Sequence, residues 1–153
     1  MKDYVIKAIN AAFPRTVFAD LSALDKICVG ADGWSAQDFL DEAAKEGGIV
    51  LAAFDGTRII GAVAGFTASD TGEILTVATA PEYRRKGIAR NLLTEFFSLI
   101  PDETETIALE VRQSNTAAIA LYESFGFEKA GVRKRFYRDP VEDADIMVKK
   151  FRT

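Results

Sequence analysis

The chain has 153 residues, the usual length of one compact domain, so residues 1–153 are expected to form a single core carrying a single site. Its residues are 48% hydrophobic and 27% charged, a balance that separates it from disordered chains. Nineteen Lys and Arg against 23 Asp and Glu leave a net charge of -4, which argues against a general affinity for nucleic-acid phosphates and suits a cationic partner.

Apolar-polar alternation over residues 4–9 predicts a first strand. The spacing of Leu21, Leu24, Ile27 and Cys28 predicts a helix with Asp20 as its cap. Trp34 and Ser35 stand before a second amphipathic stretch, with Phe39, Leu40 and Ala43 on one side and Gly47-Gly48 as its stop. Residues 49–54 and 59–66 are β-rich and meet through Asp55-Gly56, which predicts an antiparallel hairpin. Residues 73–79 make a further strand that Pro81 ends. Beyond Gly87, the residues Ile88, Leu92, Leu93, Phe96 and Ile100 keep helical spacing until Pro101. Residues 104–112 alternate again, with Ile107, Leu109 and Val111 on one face and Ala108, Glu110 and Arg112 on the other. Asn115 caps a helix striped by Ala118, Leu121, Tyr122 and Phe125, and Gly126 stops it. A strand after Phe127 and another over residues 144–151 finish the chain. The order predicts an α/β fold, a central mixed and mostly antiparallel sheet flanked by helices.

The residue types absent from the chain narrow the chemistry. Without histidine there is no Ser-His-Asp hydrolase and no His-ligated metal, so acid-base work falls to carboxylates and tyrosine. The single Cys28 can form no internal disulfide and reads as inert packing. The longest charge-free stretch, residues 59–69, falls well short of the roughly 20 apolar residues a membrane span needs. The start carries Lys2, Asp3 and Lys7 with no long apolar run behind them, so no secretory signal is read and the cytoplasm is the expected compartment.

Residues 82–89, Glu-Tyr-Arg-Arg-Lys-Gly-Ile-Ala, lie where a strand gives way to a helix. Gly87 and Ala89 let backbone N–H groups approach a ligand, a helix N-terminus favours an anion, and Arg84, Arg85 and Lys86 add positive charge. Taken alone, the segment fits a solvated basic turn equally well. Arg84, Gly87 and Ala89 fill the Gln/Arg-x-x-Gly-x-Gly/Ala pattern, and here the sequence resembles the acetyltransferases of the GNAT superfamily. The resemblance extends through Leu109-Glu110-Val111-Arg112, Ser114-Asn115 and residues 117–127 to Arg133, Phe136-Tyr137 and Met147, with Trp34-Ser35 also matching. Over that length it is similar to the branch acting on the N-terminal alanine of a ribosomal protein.

The resemblance implies a single GNAT-like domain that uses acetyl-CoA and no metal. It implies Glu110 as general base and Tyr122 as general acid. Val77, Ala78 and Thr79 would bind the pantetheine arm, Arg85, Lys86, Gly87, Ile88, Ala89 and Arg90 the diphosphate, and Asn115 coenzyme A. It also implies direct attack of the amine on the thioester, with a protein N-terminus as acceptor and neither nucleic acid nor membrane as partner. Each of these residues has an ordinary alternative: Glu110 in an ion pair, Tyr122 in the core, Asn115 as a helix cap. Trp34, Phe136 and Tyr137 fit either the core or a groove wall. A small-amine acetyltransferase and a non-catalytic acyl-CoA binding module are the rival functions; the second has no need of Glu110 and Tyr122.

Overall fold

The computed structural model describes residues 3–151, which leaves Lys2, counted above in reading the chain start, outside the described residues. The first part of the chain forms β1 (Val5–Ala8), α1 (Arg15–Val29), a 3-10 turn (Gly30–Asp32), α2 (Ala36–Ala44), β2 (Gly48–Asp55), β3 (Arg58–Ala68) and β4 (Thr71–Thr79). A second 3-10 turn (Pro81–Tyr83) leads to α3 (Ile88–Leu99), β5 (Thr106–Arg112), α4 (Thr116–Ser124), β6 (Glu128–Arg138) and β7 (Val141–Lys150). The strands make one sheet in the order β1-β2-β3-β4-β5-β7-β6, in which β4 and β5 run parallel and the other neighbours antiparallel. This is the mixed, mostly antiparallel sheet expected from the sequence.

Period-two alternation divides the core between the two faces of the sheet. On β2, Val50 and Ala52 face α1 and α2 with Phe18, Leu21 and Phe39, while Leu51 and Ala53 face α3 with Leu92, Leu93 and Phe96. A bulge then reverses the parity on β3: Ala53 pairs with Gly61 and Phe54 with Ile59, so Ile60 is the extra residue. Ile60 joins the α3 side and Ile59 the α1 side, although Ala62 and Val63 keep the opposite parity.

Three local readings need correction. Helix α1 starts at Arg15 with Pro14 as its N-cap, so Asp20 lies inside the helix and caps nothing. Proline's fixed φ opens the helix a turn and a half before the residue chosen from its side chain. With that start, the inward face is Phe18, Leu21, Ser22, Leu24 and Asp25, and Ile27 is left 66% exposed. In the β2–β3 hairpin, Asp55 pairs with Arg58, so the two loop residues are Gly56 and Thr57, and the positive φ of 62° falls on Gly56 as the first of them. By contrast, Ser35 caps α2 in a reciprocal box with Asp38, and Asn115 caps α4 through the Ala118 N–H.

Phe96 is fully buried at the centre of the α3 side. Phe96→Ala is expected to lose about 3–5 kcal/mol of stability, read as a lower urea midpoint with unchanged slope.

Candidate active site

Strands β4 and β5 share only four registers, from Thr71 opposite Thr106 to Ile74 opposite Leu109. At that point Leu75 forms a bulge against β3, between Ile74 opposite Gly65 and Thr76 opposite Ala64, and β4 turns away from β5. β5 continues along β7 as far as Arg112. The gap between the diverging strands opens a cleft of about 330 Å³, lined on one side by Leu75, Thr76 and Val77 and on the other by Glu110 and Arg112. Ala80 donates to the Ile60 carbonyl on the β3 side, so alternation directs the N–H and C=O of Val77 and Thr79 to the edge that β5 has left. The Thr79 carbonyl on that edge accepts from Cys28 Sγ and Arg84 Nε, each at 3.3 Å.

Glu110, Tyr122 and Asn115 all line this cleft. Alternation along β5 buries Ile107, Leu109 and Val111 and leaves Glu110 and Arg112 half-buried on the cleft side. Glu110 Oε2 accepts from Arg133 Nε at 2.9 Å, and the arginine side chain is 58% exposed. Tyr122 is buried on α4 against Phe127, and burial pushes its phenol well above the ordinary tyrosine range, with nearby Tyr137 adding to the shift. The hydroxyl of Tyr122 therefore stays protonated at neutral and mildly alkaline pH. Tyr137 from β6 is pushed up to about 12, first by burial and then by the charge of Glu110. Tyr137 lines the same cleft as Glu110 and Tyr122.

The segment after β4 forms a backbone cradle. Arg85 and Gly87 both adopt left-handed backbone, at φ 64° and 80°, and α3 follows at once. Alternating hand of this kind turns successive N–H groups inward, as in anion-binding nests. The first α3 residue to find a helical acceptor is Asn91, which donates to Gly87, so the N–H groups of Ile88, Ala89 and Arg90 belong to the unpaired first turn. A Cβ on Gly87 would meet no protein atom within 4 Å, so the space over the cradle is open to a ligand. The basic side chains around the cradle do not act alike. Arg84 folds back onto Thr79 and Cys28, Lys86 lies 5.5 Å from the Tyr83 ring, and Arg90 reaches Ser124 Oγ on α4. This cradle is braced by the β2–β3 hairpin, where Asp55 accepts from the Tyr83 hydroxyl and Arg58 pairs with Glu82 at 2.8 Å.

Several residues that shape the cleft carried no motif. Asp25 on α1 is 2% exposed; its carboxylate accepts from the Trp34 N–H and the Thr76 hydroxyl, joining the wall at Trp34 to the bulged part of β4. Burial holds Asp25 above the ordinary carboxylate range, and those two hydrogen bonds offset part of the rise. The only sequence signal was a carboxylate inside an apolar helical stripe. Trp34 packs edge-on against Phe39 and lines the cleft, while Phe136 and Tyr137 line it from β6, so all three are groove residues. Among the described residues, no cluster of His, Cys, Asp and Glu is arranged to hold a metal ion, and no helix is long and apolar enough to cross a membrane.

The sequence matches the acetyltransferase (GNAT) family over residues 16–127. An N-alpha-acetyltransferase RimI of Mycobacterium tuberculosis is 35% identical over 84% of this chain and 82% of its own length. A ribosomal protein bS18-alanine N-acetyltransferase of Escherichia coli is 45% identical over 85 residues, a match that spans 51% of this chain and 55% of that relative. The crystal structure of the ribosomal-protein-S18-alanine N-acetyltransferase from Escherichia coli superposes with a TM-score of 0.80 at 27% identity, over 98% of this chain and 95% of that one. Ard1 from Thermoplasma volcanium has the same fold, with a TM-score of 0.83 at 20% identity over 99% of this chain and 100% of its own. The diverging strands, the nest before α3 and these likenesses agree: the chain belongs to the acetyltransferase (GNAT) family and is an acyltransferase whose donor is acetyl-CoA.

Proposed function

We propose that the protein acetylates the α-amine of a protein N-terminus in the cytoplasm, with the N-terminal alanine of a ribosomal protein as the acceptor. The observation that carries this reading is the single cleft in which Glu110, Tyr122 and Tyr137 meet beside the free edge of β4. The relatives named for N-alpha-acetylation support the acceptor class, and a net charge of -4 suits a basic protein partner.

The residues present fit the donor. The nest at Arg85, Lys86 and Gly87 and the first N–H groups of α3, at Ile88, Ala89 and Arg90, would hold its diphosphate. Arg84 would act by fixing the turn to the end of β4. The backbone of Val77, Ala78 and Thr79 would line the pantetheine arm, and Asn115, whose side-chain oxygen already caps α4, would flank coenzyme A. When bound, acetyl-CoA supplies a thioester carbonyl that a neutral amine attacks directly, so no covalent enzyme intermediate is required.

An N-terminal ammonium has a pKa of about 7.7–8.0 and must lose a proton before it can react. Glu110 takes that proton at the mouth of the cleft, where the exposed Arg133 gives way to the incoming cation. Tyr122, kept protonated by burial, gives a proton to the departing sulfur. The N–H of Val77, on the edge vacated by β5, stabilises the negative charge that develops on oxygen.

Four outcomes are expected. Gly87→Val forces a β-branched residue into left-handed backbone at a strain of about 1–2 kcal/mol or more, so calorimetry should show weaker acetyl-CoA binding with the thermal transition intact; parental affinity would move the donor site elsewhere. Tyr122→Phe is expected to lower kcat by about 10²-fold with little change in acetyl-CoA binding. Glu110→Gln should lower kcat most below pH 8, where the amine is protonated. In the parent enzyme the raised phenol of Tyr122 stays protonated as pH rises to 9, so no fall in rate on the alkaline side is expected from loss of the acid. A flat response to either substitution across that range removes the residue from the mechanism. Finally, mass spectrometry of paired peptides should show acetylation of an alanine-first peptide and little reaction when its α-amine is blocked and a lysine left free. Equal labelling of the blocked peptide, or faster turnover of spermidine, would assign a different acceptor.

A further inference from the structure

Arg112 ends β5 two residues beyond Glu110 and on the same face of the sheet. Its side chain is only 15% exposed, and its guanidinium serves four oxygens from two separate segments. Nη1 donates to the Pro140 carbonyl at 2.9 Å and to Glu142 Oε1 at 3.2 Å; Nη2 donates to the Asp139 carbonyl at 2.9 Å and to Asp32 Oδ2 at 3.2 Å. The same group lies over the Tyr137 ring, 4.3 Å from its centroid. Its partners are themselves tied across the gap. Asp32 accepts from the N–H groups of Arg138 and Asp139, Asp139 accepts from the Ala31 N–H, and Glu142 accepts from the N–H and hydroxyl of Ser114.

Two walls of the cleft therefore meet at one guanidinium. One wall is the turn Gly30–Asp32, which leads to Trp34; the other is the end of β6, which carries Phe136 and Tyr137, with the turn at Asp139 and Pro140 that follows it. The contacts are far apart in sequence, with 80 residues between Arg112 and Asp32 and 106 between Asp32 and Arg138. The nest at Arg85 to Gly87 shares none of these bonds; on the donor side the junction comes no nearer than Ser114, the residue before Asn115. The planar fork of an arginine can serve carbonyls and carboxylates in two directions while stacking on an aromatic ring, which an ammonium cannot do.

We propose that Arg112 is a positioning residue for the acceptor: it locks the two walls of the cleft at the separation that holds Tyr137 beside Glu110 and Tyr122. The inference rests on reading the cleft as the acceptor site. Loss of the lock widens the groove and leaves Asp32 and Glu142 without their shared cation, so the acceptor binds more weakly while the donor binds as before.

The test compares the parent enzyme with Arg112→Lys, Arg112→Met and Glu142→Gln. Kinetics with an alanine-first peptide should give an acceptor KM raised about tenfold or more in both Arg112 variants, with kcat within about twofold. Acetyl-CoA affinity by calorimetry should be unchanged, and Glu142→Gln should lie between parent and Arg112→Met. Two readouts do not depend on turnover: acrylamide quenching of Trp34, the chain's one tryptophan, should rise, and trypsin should cut faster after Arg135 and Arg138. If Arg112→Met fails to fold, Arg112→Lys and Glu142→Gln carry the comparison. Parental KM, quenching and proteolysis in Arg112→Lys would overturn the proposal. So would parallel loss of kcat, donor affinity and thermal stability, which marks a general structural role. Should the parent acetylate no peptide α-amine, the proposed function fails, while quenching and proteolysis still decide whether Arg112 joins the walls.

Discussion

The structure depends on the parting of two parallel strands. β4 and β5 are joined over four residue pairs, and the extra residue Leu75 then bends β4 away while β5 stays with β7. A sheet interior seldom leaves backbone polar groups without partners, because burying them unpaired costs as much as losing a hydrogen bond. Here the far half of β4 presents Val77 to a cleft in place of a neighbouring strand, with Thr79 further along the same edge. At Thr79 the protein supplies its own partners, Cys28 and Arg84. At Val77 the edge faces the side chains of β5 across the gap, where a ligand can add itself as the missing strand. Every other part of the site is arranged around that opening: the nest before α3 at one end, Tyr122 beneath, and Glu110 with its arginine at the mouth.

What the sequence made legible was local. Alternation on β5 put Glu110 and Arg112 on one face and Leu109 and Val111 on the other, as observed. Capping side chains located the starts of α2 and α4, because Ser35 and Asn115 bond to N–H groups only three residues away. The start of α1 was missed for the complementary reason. Pro14 opens that helix through its ring-fixed φ and with no side-chain hydrogen bond, so Asp20 looked the better cap and the apolar stripe was drawn through Ile27 instead of Phe18. Likewise the basic run at Arg84 to Lys86 read as three cations around one anion, yet Arg84 turns back to brace β4. Side-chain direction in a turn with two left-handed residues does not follow from composition.

What stayed hidden was long-range. Asp25 looked like a polar residue in a helix and proves to tie Trp34 to Thr76, which stands 51 positions further along the chain. Arg112 looked like the outward neighbour of a strand glutamate and proves to be the junction of two turns. Neither position has a periodicity or motif that reports its partner, because the partner is set by how the walls close over the cleft. The bulge at Leu75 was equally silent: an extra apolar residue in an apolar strand changes no local pattern, although it decides which side chains reach the site.

The two candidate catalytic groups owe their different tasks to depth. Tyr122 is buried on α4 against Phe127, where burial first and nearby Tyr137 second keep the proton on oxygen. Glu110 is part-buried in the cleft wall and pairs with an arginine whose side chain remains largely in water. Only the arginine's half of this pair is in water, so a substrate ammonium that replaced the guanidinium would keep a cation beside the part-buried carboxylate. The buried junction at Arg112 is the opposite case: its guanidinium is shared among four oxygens and an aromatic ring, and removing it would strand two carboxylates. In the proposed reaction the first arginine gives way to the acceptor, and the second keeps the shape of the groove that the acceptor would enter.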